Sequence, residues 1–335
     1  MTLTRATFLA ALAALPLLAA APAFAEAAKV RLAKQFGISY LPLTLMEENK
    51  LLEKNAKSLG LEVTTEWVQF TGGTPMNDAL LSNSLDFASG GVGPMLTIWG
   101  KTRGKLNVKA VAALNSMPLF LNSSDPDVKS VKDFTSKDKI ALPAVKTSIQ
   151  AIVLQMAAAR DLGAGKENAL DAFTSSMGPP DAFNALMSFK SEVNAHFGSA
   201  PFMYQELADA RVRKILDSYE VMGGPHTFNV VWTTQKFHDD NPKLFEAFVK
   251  ALDEAMAQIR TDPSAAAAIW IRAERSKISQ AEAERLIKLP ENEWTTTPKK
   301  ITAFAEFMAK VGQLSAAPKD WKEVFFDAVH ALPGN

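Results

Sequence analysis

The stretch Leu85-Asp86-Phe87-Ala88-Ser89-Gly90-Gly91-Val92-Gly93-Pro94 predicts a short apolar strand that runs directly into a helix. Glycines without a Cβ atom let backbone N–H groups approach a ligand closely. The pair Gly93-Pro94 is typical of a helix start with proline at the first helical position. Because the positive end of a helix attracts anions, the stretch predicts either a ligand-binding loop or a plain strand-to-helix turn.

Strands and helices alternate on both sides of this stretch. The residue pattern predicts strands at residues 30–34, 62–68 and 108–114, and one helix that begins at Pro42 and ends at Gly60. Thr74 is predicted to cap a further helix, with Pro75 as its first residue. Such alternation is typical of a parallel α/β sheet.

A second unit of the same kind follows residues 116–121 and a polar stretch at residues 122–127, and the chain is predicted to cross between domains near residues 116–119. A strand is predicted at residues 139–143. Thr147 and Gln150, three residues apart, fit a capping box at the start of the next helix.

The two units repeat one pattern, which indicates two similar lobes. Residues 178–201 resemble residues 73–94, because each segment holds a helix and then a strand that ends in small residues and a proline. After the flexible residues 223–225 the chain is predicted to return to the first unit with a strand at 229–234. From Pro242 onward the sequence predicts helices.

The first 25 residues are predicted to be a secretory signal peptide. Arg5 supplies a positive start, residues 6–21 are an apolar run, and Ala23-Phe24-Ala25 fits the cleavage pattern. An uncleaved membrane anchor is the alternative, but the run is short for the ~20 residues of a membrane span. The mature chain is expected to begin at Glu26 and to reside in the periplasm.

Composition excludes several classes of partner and site. The chain has 36 basic and 36 acidic residues, so removal of Arg5 with the leader leaves a net charge of −1 and implies no nucleic-acid partner. Without cysteine there is no disulfide, thiolate metal site or cysteine nucleophile. At 47% hydrophobic residues, the mature chain is long enough for about two domains with their own cores.

Taken together, the leader, the helix start at Leu41-Pro42, residues 86–91, the helix start at Thr147-Ser148 and the helical tail resemble a known family. The chain is similar to periplasmic substrate-binding proteins of ABC importers, of the nitrate/sulfonate/taurine type. The resemblance implies an α/β protein with the two-lobed type II binding-protein fold. Each lobe would be a mixed sheet flanked by helices, and two strands would form the hinge.

The resemblance also implies boundaries and partners. Residues 26–117 with 226–335 would form lobe 1, and residues 118–225 would form lobe 2. The protein would capture a small organic or inorganic anion in the cleft and deliver it to a permease and an ATPase. We expect a monomer without cofactor or bound metal.

Carried over position by position, the cleft would be lined by loops at the carboxyl ends of strands, where open α/β sheets bind ligands. The first lobe would contribute Gln35, Phe36, Tyr40, Gly90, Gly91 and Val92. The second lobe and the return crossover would contribute Thr147, Ser148, Gly198, Ser199, His226 and Asn229.

These segments contain no arginine, and Lys146 is the nearest cation in the sequence. A negative group could instead be held by backbone N–H groups and hydroxyls between residues 91–93 and Thr147-Ser148. Phe36, Tyr40 and Phe120 could pack against an organic body, although for Phe120 hinge packing is favoured.

Two other functions share the fold. A thiamine-pyrimidine-synthase-like enzyme would need a cysteine-rich iron motif, and this chain has no cysteine. Its histidines, at positions 196, 226, 238 and 330, show no close metal-ligand spacing, and no nucleophile or phosphate-loop motif occurs. We therefore expect a binding protein and not an enzyme. A periplasmic sensor module would have the same cleft, and the sequence leaves that alternative open.

Overall fold

The computed structural model describes residues 26–335, so the predicted signal peptide lies outside the described residues. Within this range the chain forms ten strands: β1 Lys29–Lys34, β2 Thr64–Gln69, β3 Ala88–Gly91, β4 Lys109–Ala113, β5 Phe120–Ser123, β6 Ile140–Leu142, β7 Thr174–Ser176, β8 Ala195–Gly198, β9 Arg213–Asp217 and β10 Asn229–Thr233.

The helices of the same range lie mostly between the strands and after the last one. They are α1 Leu41–Glu48, α2 Leu51–Ser58, α3 Gly73–Leu81, α4 Val92–Thr102, α5 Ile149–Leu162, α6 Pro179–Ser188, α7 Phe202–Leu207, α8 Ser218–Met222, α9 Gln235–Asp240, α10 Pro242–Thr261, α11 Pro263–Glu274, α12 Gln280–Ile287 and α13 Ile301–Lys310. Short 3-10 helices occur at Ile38–Tyr40, Val131–Asp133, Asp171–Phe173, Trp321–Glu323 and Asp327–Val329.

Lobe 1 is built on a mixed sheet in the order β2-β1-β3-β10-β4. β1 and β2 are parallel, and a single parallel bridge between Leu32 and Phe87 joins β1 to the segment before β3. β10 runs antiparallel between β3 and β4. Helix α10 packs against α1 and α2, so the helical tail covers this lobe.

Lobe 2 is built on a second mixed sheet in the order β7-β6-β8-β5-β9. β6 is parallel to β7 and β8, whereas β5 is antiparallel to β8 and β9. The predicted repeat between the units corresponds to α3-β3-α4 in lobe 1 and α6-β8-α7 in lobe 2.

Two chain crossings join the lobes, between β4 and β5 and between α8 and β10. They pair with each other through an antiparallel bridge between Ser116 and Thr227. Ser116 also exchanges two backbone hydrogen bonds with Glu293, of 2.8 and 2.9 Å, so a third segment lies beside the hinge. The lobe boundaries at residues 117/118 and 225/226 stay a prediction.

Two predicted helix starts and one predicted helix are wrong in detail. Residues 42–60 form two helices, because Lys50 adopts a left-handed conformation with φ 52° and α2 begins there anew. Helix α4 begins at Val92 and α3 at Gly73, so Pro94 is the third residue of its helix and Thr74 is not a cap. Both prolines still fit, since the first four N–H groups of a helix have no intrahelical partner.

At the start of α5 the cap is one residue later than predicted. Ser148, and not Thr147, is the N-cap, and its Oγ accepts a hydrogen bond of 3.2 Å from the backbone N–H of Ala151. The predicted capping box of Thr147 with Gln150 is therefore wrong. This shift of one residue matters because it decides which hydroxyl lies at the positive end of the helix.

The buried apolar residues of both lobes form one continuous cluster, although two separate cores were expected. Only a small satellite around Ala141, Ala182 and Val193 stands apart among the described residues. The cores merge because Ile149 and Ile152 of α5, which are fully buried, lie against lobe 1. The lobes are therefore in contact across the cleft.

Candidate functional site

An inner cavity of about 20 Å³ lies between the lobes, with room for roughly one water molecule. Its walls come from both lobes and consist of Gln35, Phe36, Tyr40, Gly73, Gly91, Pro94, Pro143, Ser148, Ile149, Gln150, Pro179, Ser199 and Phe228. None of these lining residues carries a charge.

The lobe 1 wall is held by hydrogen bonds to a second layer of polar residues. Gln35 Nε2 donates to the backbone carbonyl of Ser89 at 3.2 Å, and the Tyr40 hydroxyl donates to Asn229 Oδ1 at 3.2 Å. Burial raises the pKa of Tyr40, so its phenol stays protonated. These bonds fix the loop after β1 at the cavity.

Four helices begin at the cavity wall. Gly73 is the first residue of α3, and Gly91 is the N-cap of α4. In lobe 2, Ser148 caps α5 and Pro179 is the first residue of α6. Each start places the positive end of a helix dipole at the cavity wall, which favours a negative group there without a cation. The four starts differ in free N–H groups, because α6 begins with Pro179 and Pro180, which have none, and the Val92 N–H of α4 donates to the Phe228 carbonyl.

The glycines of the stretch that opens α4 contact lobe 2. A Cβ atom at Gly91 would lie 2.7 Å from Ile149 Cγ2, and one at Gly93 would lie 2.7 Å from the carbonyl oxygen of Thr147. No ligand fits between Gly93 and Thr147 in this conformation. Of the residues predicted to hold the anion, only Gly91 and Ser148 line the cavity, so the predicted anion position lies between these two.

The structure brings six of the predicted site residues together at the inner cavity: Gln35, Phe36, Tyr40, Gly91, Ser148 and Ser199. Their role in ligand binding stays a prediction. The other six lie elsewhere, and each position has a physical reason.

Gly90, Val92 and Gly198 support the wall from behind. A Cβ atom at Gly90 would lie 2.8 Å from Gln35 Nε2, and one at Gly198 would lie 2.9 Å from the ring of His196. Val92 is fully buried in the core of α4. None of the three lines the cavity.

Thr147 faces away from the cavity. Its Oγ1 lies 3.1 Å from Thr74 Oγ1 on the exposed side of the lobe contact. Lys146 and Thr147 line a different opening, shared with Gln155 and Gln313. Thr147 is consequently a contact between lobes.

His226 and Asn229 are buried in the hinge region. His226 Nε2 lies 2.8 Å from Ser218 Oγ, which accepts from the Leu119 backbone N–H and can donate to the ring. His226 Nδ1 lies 2.9 Å from the Thr227 carbonyl, and burial lowers the pKa of His226 to about 4, so the ring is neutral. Asn229 positions Tyr40.

Sequence reasoning missed Ile149 on the cavity wall, together with Gly73, Pro94, Pro143, Gln150 and Pro179. The signal for Gly73 and Pro179 was present, because each begins a helix in the repeated pattern. Phe120 does not line the cavity and packs against Tyr204, with ring centroids 5.5 Å apart.

Direct bonds between the lobes show that the cleft is closed. The Ile38 backbone N–H donates to the Ala200 carbonyl at 3.2 Å, and Gln313 Nε2 donates to Gln155 Oε1 at 2.8 Å. Both bonds would break if the lobes separated. The small volume of the inner cavity belongs to this closed conformation.

Within residues 26–335, no helix is long and apolar enough to cross a membrane. The same part of the chain has no group of three or more histidine and carboxylate side chains arranged to hold a metal ion.

Comparison with known proteins agrees with this architecture. The sequence profile of the NMT1-like family matches residues 13–272. Among curated proteins, none matches the chain significantly.

Three similar solved structures are binding proteins. The alkanesulfonate-binding protein SsuA from Xanthomonas axonopodis pv. citri, bound to MOPS, is 17% identical with a TM-score of 0.68, over 90% of this chain and 97% of that chain. SsuA from Escherichia coli, an aliphatic sulphonate-binding protein, is 18% identical with a TM-score of 0.65, over 90% and 93%. The nitrate-binding protein NrtA from Synechocystis PCC 6803 is 17% identical with a TM-score of 0.67, over 92% and 90%. The two-lobed binding-protein fold predicted from the sequence is confirmed.

Proposed function

Because the chain belongs to the NMT1-like family and has the two-lobed fold of periplasmic binding proteins, we propose that it is an extracytoplasmic solute-binding protein. It captures a small anion between its lobes and delivers it to the permease and ATPase of an ABC importer. The similar structures are proteins that bind sulfonates or nitrate, which supports this role over an enzymatic one.

The observation that carries the proposal is an uncharged cavity surrounded by four helix starts. A neutral ligand would gain little from the positive ends of helices at the cavity wall, whereas an anion would be stabilised by them. Ser148 adds a hydroxyl that already accepts from Ala151 and is free to donate to a ligand.

Cavity size limits the ligand in the closed state. The inner cavity has room for roughly one water molecule, so the lobes must close less tightly around an anion of several non-hydrogen atoms than they do here. Since the lobes close the entrance, the ligand must enter while they are apart and select the closed state by its higher affinity for it.

A thermal-shift screen of the mature protein tests the function. Nitrate, sulfate, bicarbonate, acetate and methanesulfonate are suitable probes, with a neutral amide and a quaternary amine as controls. A ligand at about 100 times its dissociation constant adds about 2.7 kcal/mol of stability. Stabilisation by the neutral amide or the amine, with none by any anion, would contradict the proposal.

Replacement of Ser148 by alanine is expected to weaken binding of the best anion about tenfold. One lost hydrogen bond to a charged group is worth about 1.5–3 kcal/mol, partly offset by water. Loss of the cap should also reduce stability by about 0.5–2 kcal/mol. Ser279→Ala is the matched control, because Ser279 caps α12 in the same way, accepting from the Glu282 backbone N–H at 3.1 Å, and does not line the cavity. Calorimetry should show little change in anion affinity for the control variant. Equal losses of affinity in both variants would mean that Ser148 does not bind the anion.

Export is expected to leave Glu26 as the first residue. The Glu26 carboxylate accepts hydrogen bonds from the Lys243 and Leu244 backbone N–H groups, at 3.2 and 2.7 Å, at the start of α10. The predicted new terminus is therefore anchored to the fold. Mass spectrometry of the protein from a periplasmic extract measures the terminus, and a membrane-bound form that retains Met1 would argue for an uncleaved anchor.

A further inference from the structure

A hydrogen bond between two glutamines joins the lobes outside the inner cavity. Gln313 Nε2 of lobe 1 donates to Gln155 Oε1 of lobe 2 at 2.8 Å. Gln155 lies on α5 about two turns, or about 10 Å, beyond the cap Ser148 at the cavity wall. Neither glutamine lines the inner cavity, so a ligand held there does not touch this pair.

The side chain of Gln155 is fixed in one orientation by lobe 2 alone. It is 1% exposed, and its Nε2 donates to Asn168 Oδ1 at 3.1 Å and to Asp171 Oδ2 at 3.0 Å. Because these two acceptors hold the amide nitrogen, the amide oxygen is left to face lobe 1. A buried acceptor is costly unless a donor meets it, so closure is favoured by the donor that lobe 1 supplies.

Lobe 1 holds that donor in an equally fixed position. Gln313 follows α13, and its backbone N–H donates to the Met308 carbonyl at 2.8 Å. Met308 is fully buried, so the turn that carries Gln313 is tied to the core of lobe 1. Two partners that are already positioned lose little conformational freedom when they pair.

Two other polar contacts between the lobes are exposed to water. Lys310 Nζ lies 3.5 Å from Glu167 Oε1, but the lysine side chain is 63% exposed, and exposed ion pairs contribute little. The hydroxyls of Thr74 and Thr147 pair on the exposed side of the lobe contact. Water can replace both contacts when the lobes part, whereas Gln155 Oε1 loses a well-placed donor.

We propose that Gln155 and Gln313 form a latch that sets how long the closed protein holds its ligand. The inference rests on the proposed function, because it concerns release from the inner cavity. The ligand leaves only after the lobes part, and parting breaks the latch, so the latch slows dissociation. Since the bond belongs to the closed state with or without ligand, it also shifts the ligand-free protein toward closure.

Gln313→Met tests the latch in the mature protein, because methionine is unbranched, similar in length and without a donor. With the best anion of the screen, the dissociation rate measured by stopped flow is expected to rise about 2- to 12-fold, the range for one neutral hydrogen bond. Gln280→Met is the matched control, since Gln280 Nε2 donates to Ser264 Oγ at 3.1 Å within lobe 1. It should keep the rate of the parent.

The double variant Gln155→Met/Gln313→Met distinguishes the latch from a general loss of stability. Gln155→Met also removes the donor to Asn168 and Asp171, so it should lower the melting temperature. The double variant should nevertheless release the anion no faster than Gln155→Met alone, because both changes remove the same bond between the lobes.

An unchanged dissociation rate in Gln313→Met, or an equal rise in Gln280→Met, would overturn the latch and leave the proposed function intact. Failure of every anion to bind would overturn the proposed function instead. The latch is then tested without ligand by small-angle scattering, where Gln313→Met should have a larger radius of gyration than the parent and than Gln280→Met. Equal radii in that case would overturn the latch as well.

Discussion

Alanine in place of Gly93 is expected to weaken ligand binding roughly 5- to 150-fold while each lobe stays folded. The new Cβ atom would lie 2.7 Å from the Thr147 carbonyl and 2.5 Å from Ile152 Cδ1, both in lobe 2. Overpacking of this kind costs about 1–3 kcal/mol. That cost falls only on the closed state, so the closed population and the apparent affinity decrease together.

Gly100→Ala is a control variant that distinguishes an effect on lobe closure from an effect of overpacking within one lobe. Gly100 lies on the same helix, and its Cβ atom would meet Leu314 Cδ2 at 2.8 Å within lobe 1. This control should lower the melting temperature without changing affinity for the best anion of the screen. Small-angle scattering should show a larger radius of gyration for Gly93→Ala than for Gly100→Ala at a ligand concentration near the dissociation constant of the parent. Equal radii with equal affinities would mean that the lobes adjust to the extra atom.

Acidification from pH 6.5 to pH 4 is expected to remove about 3 kcal/mol of stability through His226 alone. Burial lowers its pKa to about 4 in the folded protein, whereas an unfolded histidine titrates near 6.5. Between these values the unfolded chain binds a proton that the folded chain does not. The free energy of unfolding therefore falls by up to about 1.4 kcal/mol per pH unit and levels off below pH 4.

Denaturant unfolding of the parent and of His226→Gln at several pH values isolates this contribution. The stability advantage of the parent should shrink by about 3 kcal/mol between pH 7 and pH 4. Tyr219→Phe is the control, because it breaks the bonds of Tyr219 to Ser116 and Glu291 in the same hinge but removes no group that titrates in this range. A constant difference between the parent and His226→Gln would mean that the ring has the same pKa in the folded and the unfolded protein.

The sequence predicted the fold well because its signals are local. Periodic apolar residues and prolines identified β1, β4, β10 and the long helix α10 at nearly the correct bounds. The break at Lys50 was missed, since a left-handed residue other than glycine leaves no signature. The short strand β7 also left no signature in the sequence, because a three-residue strand has too few positions to show an alternation of apolar and polar residues.

The site was predicted only in part because its geometry depends on contacts between distant segments. The repeat located the loops, but local pattern cannot say which side of a loop faces the cleft. Thr147 and Ser148 are adjacent in the chain, but only Ser148 lines the cavity, because the helix begins one residue later than predicted. His226 lies only two residues before the cavity residue Phe228 in the chain, but its hydrogen bond with Ser218 places it in the hinge.

The four helix starts around the inner cavity are divided evenly, with α3 and α4 in one lobe and α5 and α6 in the other. An anion held by all four loses half of its partners as soon as the lobes part. No lysine or arginine at the cavity wall would retain it. In the proposed transport role, separation of the lobes alone would therefore weaken the hold on an anion, and release would need no competing charge from the permease.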